Sequence, residues 1–190
     1  MFDKDFSQVD WEKVKQGQLI RQSLGSEWIR LTGLAPGMRV MDIGTGPGVF
    51  TRMYAEAVGE MGRVYALEKS PQAMAFLRRE LQDLKNVEYV LADAEQGFGE
   101  VPKVDVVFIT DVLHHVDTPG KIFRNISRVV SEGAKVLVAE YDPTAPGEVG
   151  PPLEVRIPLG DLQQMAVAAG FQIVETGTRD HEHYYVVLQR

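Results

Sequence analysis

Five short apolar runs constrain this chain more than any other feature: residues 38–43, 64–67, 87–91, 104–109 and 135–140. Each is rich in Val, Ile or Leu and too short for a helix, the pattern of strands buried on both faces. Between the runs, apolar residues recur three and four apart. Phe50, Met53, Tyr54, Ala57 and Val58 make one such face, and Ala73, Phe76, Leu77, Leu81 and Leu84 a second. Ile122, Phe123, Ile126, Val129 and Val130 make a third. Ser70-Pro71 and Thr118-Pro119 each offer a capping oxygen followed by a proline at the first helical position, where the missing N–H costs nothing. Strand, helix, strand repeated in this way predicts right-handed crossovers and a mainly parallel sheet, an α/β fold.

The two ends of the chain differ from this middle. Leu162, Met165, Ala166 and Ala169 predict one more helix, stopped by Gly170 in a left-handed cap. Residues 171–175 and 184–188 flank a turn near Gly177 and Asp180, a hairpin that closes the sheet with an antiparallel strand. Toward the N-terminus, Ile20, Leu24, Trp28 and Leu31 mark a helix, preceded by an amphipathic lead-in of Phe2, Phe6, Val9, Trp11 and Val14. The Pro/Gly-rich stretch 142–158 is the one long connection. It follows the fifth strand, at the sheet edge where ligand contacts are expected.

Composition narrows the partners. Twenty Lys and Arg against 27 Asp and Glu leave a net charge of -7, which argues against a dedicated nucleic-acid or anionic-membrane binder. With no cysteine, disulfides, thiolate metal sites and cysteine nucleophiles are excluded. No basic, apolar leader opens the chain and no apolar stretch is long enough to span a bilayer, so a soluble cytoplasmic protein is expected. At 190 residues it reads as one domain.

The most informative segment runs from Val40 through Asp42, Gly44, Thr45, Gly46 and Gly48 to Thr51: a buried strand, a glycine-dense turn, then a helix. Such a turn uses positive φ and lets a ligand approach bare backbone, and the helix start behind it offers unpaired N–H groups. A dinucleotide fingerprint would place Gly or Ala at position 49, which here is Val49. Asp42 sits badly with a pyrophosphate and suits a ligand carrying an ammonium or sulfonium charge. Glu68, closing the second strand, can accept both hydroxyls of a ribose. Asp93, after the third, can accept from an adenine amino group while the Ala94 N–H meets a ring nitrogen.

Together, Asp42, Gly44, Gly46, Gly48, Glu68 and Asp93 at the ends of three successive strands resemble the class I S-adenosylmethionine-dependent methyltransferases. The segment from Asp105 through Thr110, Asp111, His114 and His115 resembles that family's fourth strand and following loop. Within the class the chain is most similar to the small-molecule branch that includes the ubiquinone/menaquinone C-methyltransferases. The resemblance implies a Rossmann-like three-layer sandwich, with a seven-stranded, mostly parallel sheet in the order 3-2-1-4-5-7-6 and an antiparallel last strand. It implies a single methyltransferase domain over 1–190, with 1–32 as a helical cap or lid and 33–190 as the cofactor-binding core. It also implies S-adenosylmethionine as cofactor and S-adenosylhomocysteine as product. Gly44 and Gly46 would pass close to the methionine part, with Asp42 near its ammonium through water or backbone and Thr45 and Gly48 among the cofactor-binding residues. Glu68 would hold the ribose, Lys69 and Ser70 would flank the adenine, and Asp93 and Ala94 would read its edge. Thr110 and Asp111 would border the methyl group. The stretch 142–158 is shorter than the branch's usual insertion, which leaves the acceptor open.

Methyl transfer from a sulfonium needs a base only if the acceptor must lose a proton. His114 and His115, past the fourth strand, and Tyr141, ending the fifth, are placed to serve. The histidine pair equally fits packing and loop capping; metal ligation with Asp117 is disfavoured, because adjacent residues rarely converge on one ion. His181 and His183 share a strand face and read as a polar, solvent-facing pair near the hairpin turn. The expected partner is a small, partly apolar methyl acceptor, with no nucleic acid; a homodimer contact at the N-terminal segment is an alternative to a lid. Two other readings stay open: a non-catalytic S-adenosylmethionine or nucleoside sensor, and an NAD-dependent oxidoreductase.

Overall fold

The computed structural model describes residue 6 and residues 8–190; Phe2, grouped above with the apolar lead-in, lies outside them. Seven strands form one sheet: β1 (Arg39–Ile43), β2 (Arg63–Glu68), β3 (Val87–Leu91), β4 (Val104–Thr110), β5 (Val130–Tyr141), β6 (Gln172–Arg179) and β7 (His183–Gln189). Their order is β3-β2-β1-β4-β5-β7-β6. The first five pair in parallel, and β7 lies antiparallel between β5 and β6. This is the Rossmann-like α/β sandwich and strand order expected from the sequence.

Alternation along β4 shows why its run is apolar throughout. Val107 and Ile109 face one core layer with Ile122, Phe123 and Ile126 of helix α5 (Pro119–Val129) and Leu162 of α6 (Leu159–Ala168). Val106 and Phe108 face the other layer, formed with α2 (Gln22–Thr32), α3 (Val49–Val58) and α4 (Pro71–Glu80). There Tyr54 stacks flat on Phe108, ring centroids 3.8 Å apart, and Trp28 packs on Tyr185 at 5.7 Å. A strand walled by helices on both sides cannot alternate polar and apolar residues.

Local chemistry accounts for some of the helix starts. Ser70 caps α4, its hydroxyl accepting from Ala73 N–H at 3.2 Å. Thr118 precedes Pro119 as expected but makes no side-chain cap; its own N–H donates to Glu95 Oε1 at 2.7 Å. The N-terminal helix also departs from the pattern. The chain forms α1 (Trp11–Ile20), breaks at Arg21, and resumes as α2, whose packed face begins at Leu24. Ile20 stands 72% exposed, because the break turns it off that face.

At the other end, Gly170 has φ +89, as its capping role requires. The hairpin turn lies at residues 180–182, with His181 and Glu182 at φ +62 and +60, and β6 continues through Gly177 to Arg179. Gly177 is glycine for another reason: a Cβ there would lie 2.8 Å from the Tyr185 ring. No described helix is long and apolar enough to cross a membrane.

Candidate active site

The carboxyl ends of β1, β2, β4 and β5 open into one cavity of about 430 Å³, within the size range of small-molecule sites. The turn after β1 forms its floor. Gly44, Gly46 and Gly48 all have positive φ, at 73°, 52° and 86°. A Cβ on Gly44 would lie 2.3 Å from Val112, and one on Gly48 2.3 Å from Leu77, so side chains are excluded there by packing as well as by backbone. A Cβ on Gly46 would meet nothing closer than 3.7 Å, on the side facing α1.

Glu68 joins this turn to β2. Its Oε1 accepts from the N–H groups of Lys69 (2.8 Å) and Ser70 (2.9 Å), and its Oε2 from Gly46 N–H at 3.2 Å. A carboxylate offers about four acceptor sites, so one remains for a ligand, and a second if the longer Gly46 bond yields. Ala92, Asp93 and Ala94 continue the same wall after β3, where Asp93 Oδ1 accepts from Glu95 N–H at 2.9 Å.

Asp42, Thr45, Gly48 and Ser70 do not line the cavity; Ser70 is buried and spent on capping α4. Asp42 is buried beneath the turn and accepts from the Thr51 hydroxyl at 2.6 Å, fastening strand to helix. Burial pushes its carboxyl up to about 7, against the pull of the Thr51 bond and with help from the Glu68 charge. At neutral pH it is therefore only partly charged, a weak partner for an ammonium group. The other expected cofactor contacts, Gly44, Gly46, Glu68, Lys69, Asp93, Ala94, Thr110 and Asp111, all line the cavity.

The far end is polar and crowded. His114, His115 and Tyr141 line it together, as expected. His114 is buried, and its Nδ1 sits 2.8 Å from Glu140 Oε2, while Glu140 Oε1 accepts from Val112 N–H (2.9 Å) and Leu113 N–H (2.5 Å). Burial alone would lower the His114 pKa; the hydrogen bond and charge of Glu140, with Asp111, more than offset it and leave it raised.

Asp111 is strained, at φ +59, and binds two partners: Arg21 Nη1, and His183 Nε2 at 2.7 Å. Arg21 and His183 hold its carboxyl far below the usual range despite burial that acts the other way. His183 is thus a buried member of the site, not the solvent-facing residue its alternation suggested. Tyr141 OH accepts from Arg21 Nη1 at 2.8 Å, and its ring lies 4.2 Å from that of His183. Burial first, then the Asp111 charge, holds the phenol well above the ordinary tyrosine value, so Tyr141 is an O–H donor rather than a base.

Two further elements close the cavity, the 142–158 connection and the N-terminal segment. The side chains that hold them, Arg156, Glu182, Gln18 and Arg21, were not singled out from residue patterns. Arg156 donates to the carbonyls of Pro151 (3.0 Å), Asp142 (2.9 Å) and Val149, and to Glu182 at 2.6 Å. Glu182 also accepts from the N–H groups of Gly147 (3.1 Å) and Glu148 (2.8 Å). This stitching presses Gly150 onto the Tyr141 ring, where a Cβ would lie 2.3 Å away, and brings Pro151 and Pro152 to the cavity wall. On the opposite side Trp11, Val14, Gln18 and Arg21 of the N-terminal helices cover the opening.

Residues 34–178 match the family profile described as "Methyltransferase domain". Over 121 residues the chain is 33% identical to the ubiquinone/menaquinone biosynthesis C-methyltransferase UbiE of Vibrio vulnificus, which covers 60% of this chain and 46% of that protein. The chain thus spans about half the length of the curated relatives it matches. Among solved structures, a SAM-dependent methyltransferase from Aquifex aeolicus superposes with a TM-score of 0.85 at 24% identity, covering 96% of this chain and 99% of the other. The [4+2]-cyclase SpnF superposes with a TM-score of 0.75 at 18% identity, covering 89% and 80%. Both likenesses concern the fold.

Proposed function

Because the chain belongs to the methyltransferase-domain family, we propose that it transfers a methyl group from S-adenosylmethionine to a small, partly apolar acceptor. The observation that carries this reading is the shared cavity: Gly44, Gly46, Glu68, Asp93 and Ala94 line one end, and His114 and Tyr141 the other. A nucleoside ligand and an acceptor can therefore meet in one cavity. The residues present fit the cofactor. Glu68 keeps acceptor capacity for a ribose hydroxyl, and it lines the same cavity as Gly44 and Gly46, whose bare backbone a ligand can approach. When bound, S-adenosylmethionine supplies a sulfonium-activated methyl group open to in-line displacement.

This chain's own residues do the rest by position. Holding two reactants in near-attack geometry is worth on the order of 7–11 kcal/mol. Lys69, Asp93 and Ala94 hold the adenine end, Glu68 the ribose, and Thr110 and Asp111 the reacting end. His114, oriented by Glu140, takes a proton from an acceptor that must lose one. Tyr141 donates its O–H to an acceptor oxygen, and His115, Pro151 and Pro152 bound the apolar part. The relatives' name, C-methyltransferase of ubiquinone/menaquinone biosynthesis, makes reduced quinones the first acceptors to try.

The test is isothermal titration calorimetry with S-adenosylmethionine, S-adenosylhomocysteine and NADH, followed by transfer of labelled methyl to 1,4-naphthalenediol and other hydroxyarenes. Binding of the two sulfur compounds, lost in Glu68→Ala, is expected. Binding of NADH alone would overturn the reading.

A further inference from the structure

Helix α1 buries no residue completely; Trp11 and Val14 lie half-buried over the cavity, and polar side chains tie the helix to the body. Lys15 Nζ pairs with Glu80 at 2.6 Å, Arg21 just past the helix end pairs with Asp111, and Gln18 reaches the glycine turn between them. The Gln18 contact differs in kind from the other two. Helix α3 starts from Gly48, which has no side chain to accept from the first-turn amides. Gln18 Oε1 accepts from Val49 N–H at 3.1 Å instead, and its Nε2 donates to Thr45 C=O at 3.5 Å. One helix thus supplies the cap that the other lacks, and the glycine turn lies between them. Gly46 faces the same place: a Cβ there would stand in ordinary contact with Gln18 Nε2 at 3.7 Å and Trp11 Cζ3 at 3.8 Å.

We propose that Gln18 is a positioning residue for S-adenosylmethionine, fastening α1 onto the glycine turn and so retaining the cofactor in the cavity. The inference rests on the reading of that cavity as the S-adenosylmethionine site, and adds a residue outside the sheet on which retention depends. The two Gln18 bonds form only when α1 lies on the turn. Gln18 and Trp11 also line the cavity, so a bound ligand touches α1 only while α1 lies on the turn; ligand and bonds favour the same covered form, and escape of the ligand requires both to give way. Gln18 therefore acts on the dissociation rate more than on the association rate. Since α1 contributes nothing to the core, losing these bonds leaves the body of the fold intact.

The experiment compares the wild-type chain with Gln18→Met, which keeps side-chain length and removes both hydrogen bonds. S-adenosylhomocysteine affinity and dissociation rate are measured with the melting temperature of the ligand-free protein and the exchange rate of the Val49 amide. Expected are an affinity about tenfold weaker, carried by faster dissociation, faster Val49 exchange, and a ligand-free melting temperature within about 2 °C of wild type. Affinity within about twofold of wild type, unchanged Val49 exchange, or a weakening matched by a large fall in ligand-free melting temperature each overturn the proposal. Failure of the wild-type chain itself to bind S-adenosylhomocysteine instead overturns the methyltransferase reading, and the proposal with it.

Discussion

Glu140 Oε2 and His114 Nδ1 lie 2.8 Å apart, both enclosed, and the other oxygen of the same carboxylate pins the amides of Val112 and Leu113. An ionised carboxylate only accepts, so Nδ1 carries the proton of the neutral ring and the proton-accepting nitrogen is Nε2. The pair resembles in its logic a base held in one tautomer by a buried acid.

Replacing that acid gives the first prediction. Glu140→Gln should lower methyl transfer on the order of 10²-fold while S-adenosylhomocysteine affinity stays unchanged. The wild-type rate should climb with pH through the His114 pKa, which lies above the ordinary value. Glu140 raises that pKa, so in the variant the rise moves to lower pH. Single-turnover rates across the pH range check both; a rise at the same pH in both proteins removes His114 as the base.

Asp42 supplies a prediction about stability. Its carboxyl ordinarily titrates at 3.8 and is pushed up to about 7 in the fold, chiefly by burial. Between these values the unfolded chain has lost the proton that the native state keeps, so stability falls as pH rises from about 4 to about 7. Asp42→Asn still accepts from the Thr51 hydroxyl and carries no charge at any pH. It should melt about 4 °C higher than wild type at pH 8, with the gain shrinking toward pH 4. Calorimetric melting at several pH values checks this; an equal offset at all of them assigns the effect to something other than the Asp42 proton.

How far the sequence reaches is visible in these residues. Periodicity locates the strands and their order follows from the resemblance, because two-sided burial imposes a pattern that no other environment explains. The glycine turn, Glu68, Asp93 and His114 are legible because their chemistry sits at strand ends. Glu140 is a lone acid closing an apolar run, a signal that alone does not say what it faces. Arg21 and Gln18 are hidden, since a polar residue between helical apolar positions ordinarily faces water, and only the break at Arg21 turns it inward. His183 misleads for a related reason: a histidine near a turn usually faces solvent, and the strained turn at His181 and Glu182 points it at Asp111 instead. These side chains depend on long-range packing, which local pattern does not encode.

Glu182 leads to a prediction about the wall of the acceptor end. Its carboxylate binds Gly147 N–H, Glu148 N–H and Arg156 at once, from a turn whose backbone is strained. Such strain persists only where surrounding contacts enforce it. Glu182→Gln retains at most part of this set and should speed exchange of the Gly147 and Glu148 amides about tenfold or more. It should raise the acceptor KM with little change in S-adenosylhomocysteine affinity. Exchange confined to wild-type rates would show that Arg156 alone suffices to hold the segment.

Tyr141 separates two ways of running the same reaction. Its oxygen accepts from Arg21, and its ring lies near the guanidinium groups of both Arg21 and Arg156, at 5.7 and 5.3 Å. Burial and Asp111 nonetheless outweigh these cations and keep the phenol protonated. With its oxygen accepting from Arg21, the protonated phenol is left to donate, and under the proposed function it stabilises negative charge on an acceptor oxygen. Tyr141→Phe keeps the ring against His183 and the two guanidinium groups, and should fold normally. Transfer should fall on the order of 10- to 10²-fold, while the rise of rate with pH stays where it was, because that rise belongs to His114. A variant whose rate no longer depends on pH would place the proton transfer on Tyr141 instead.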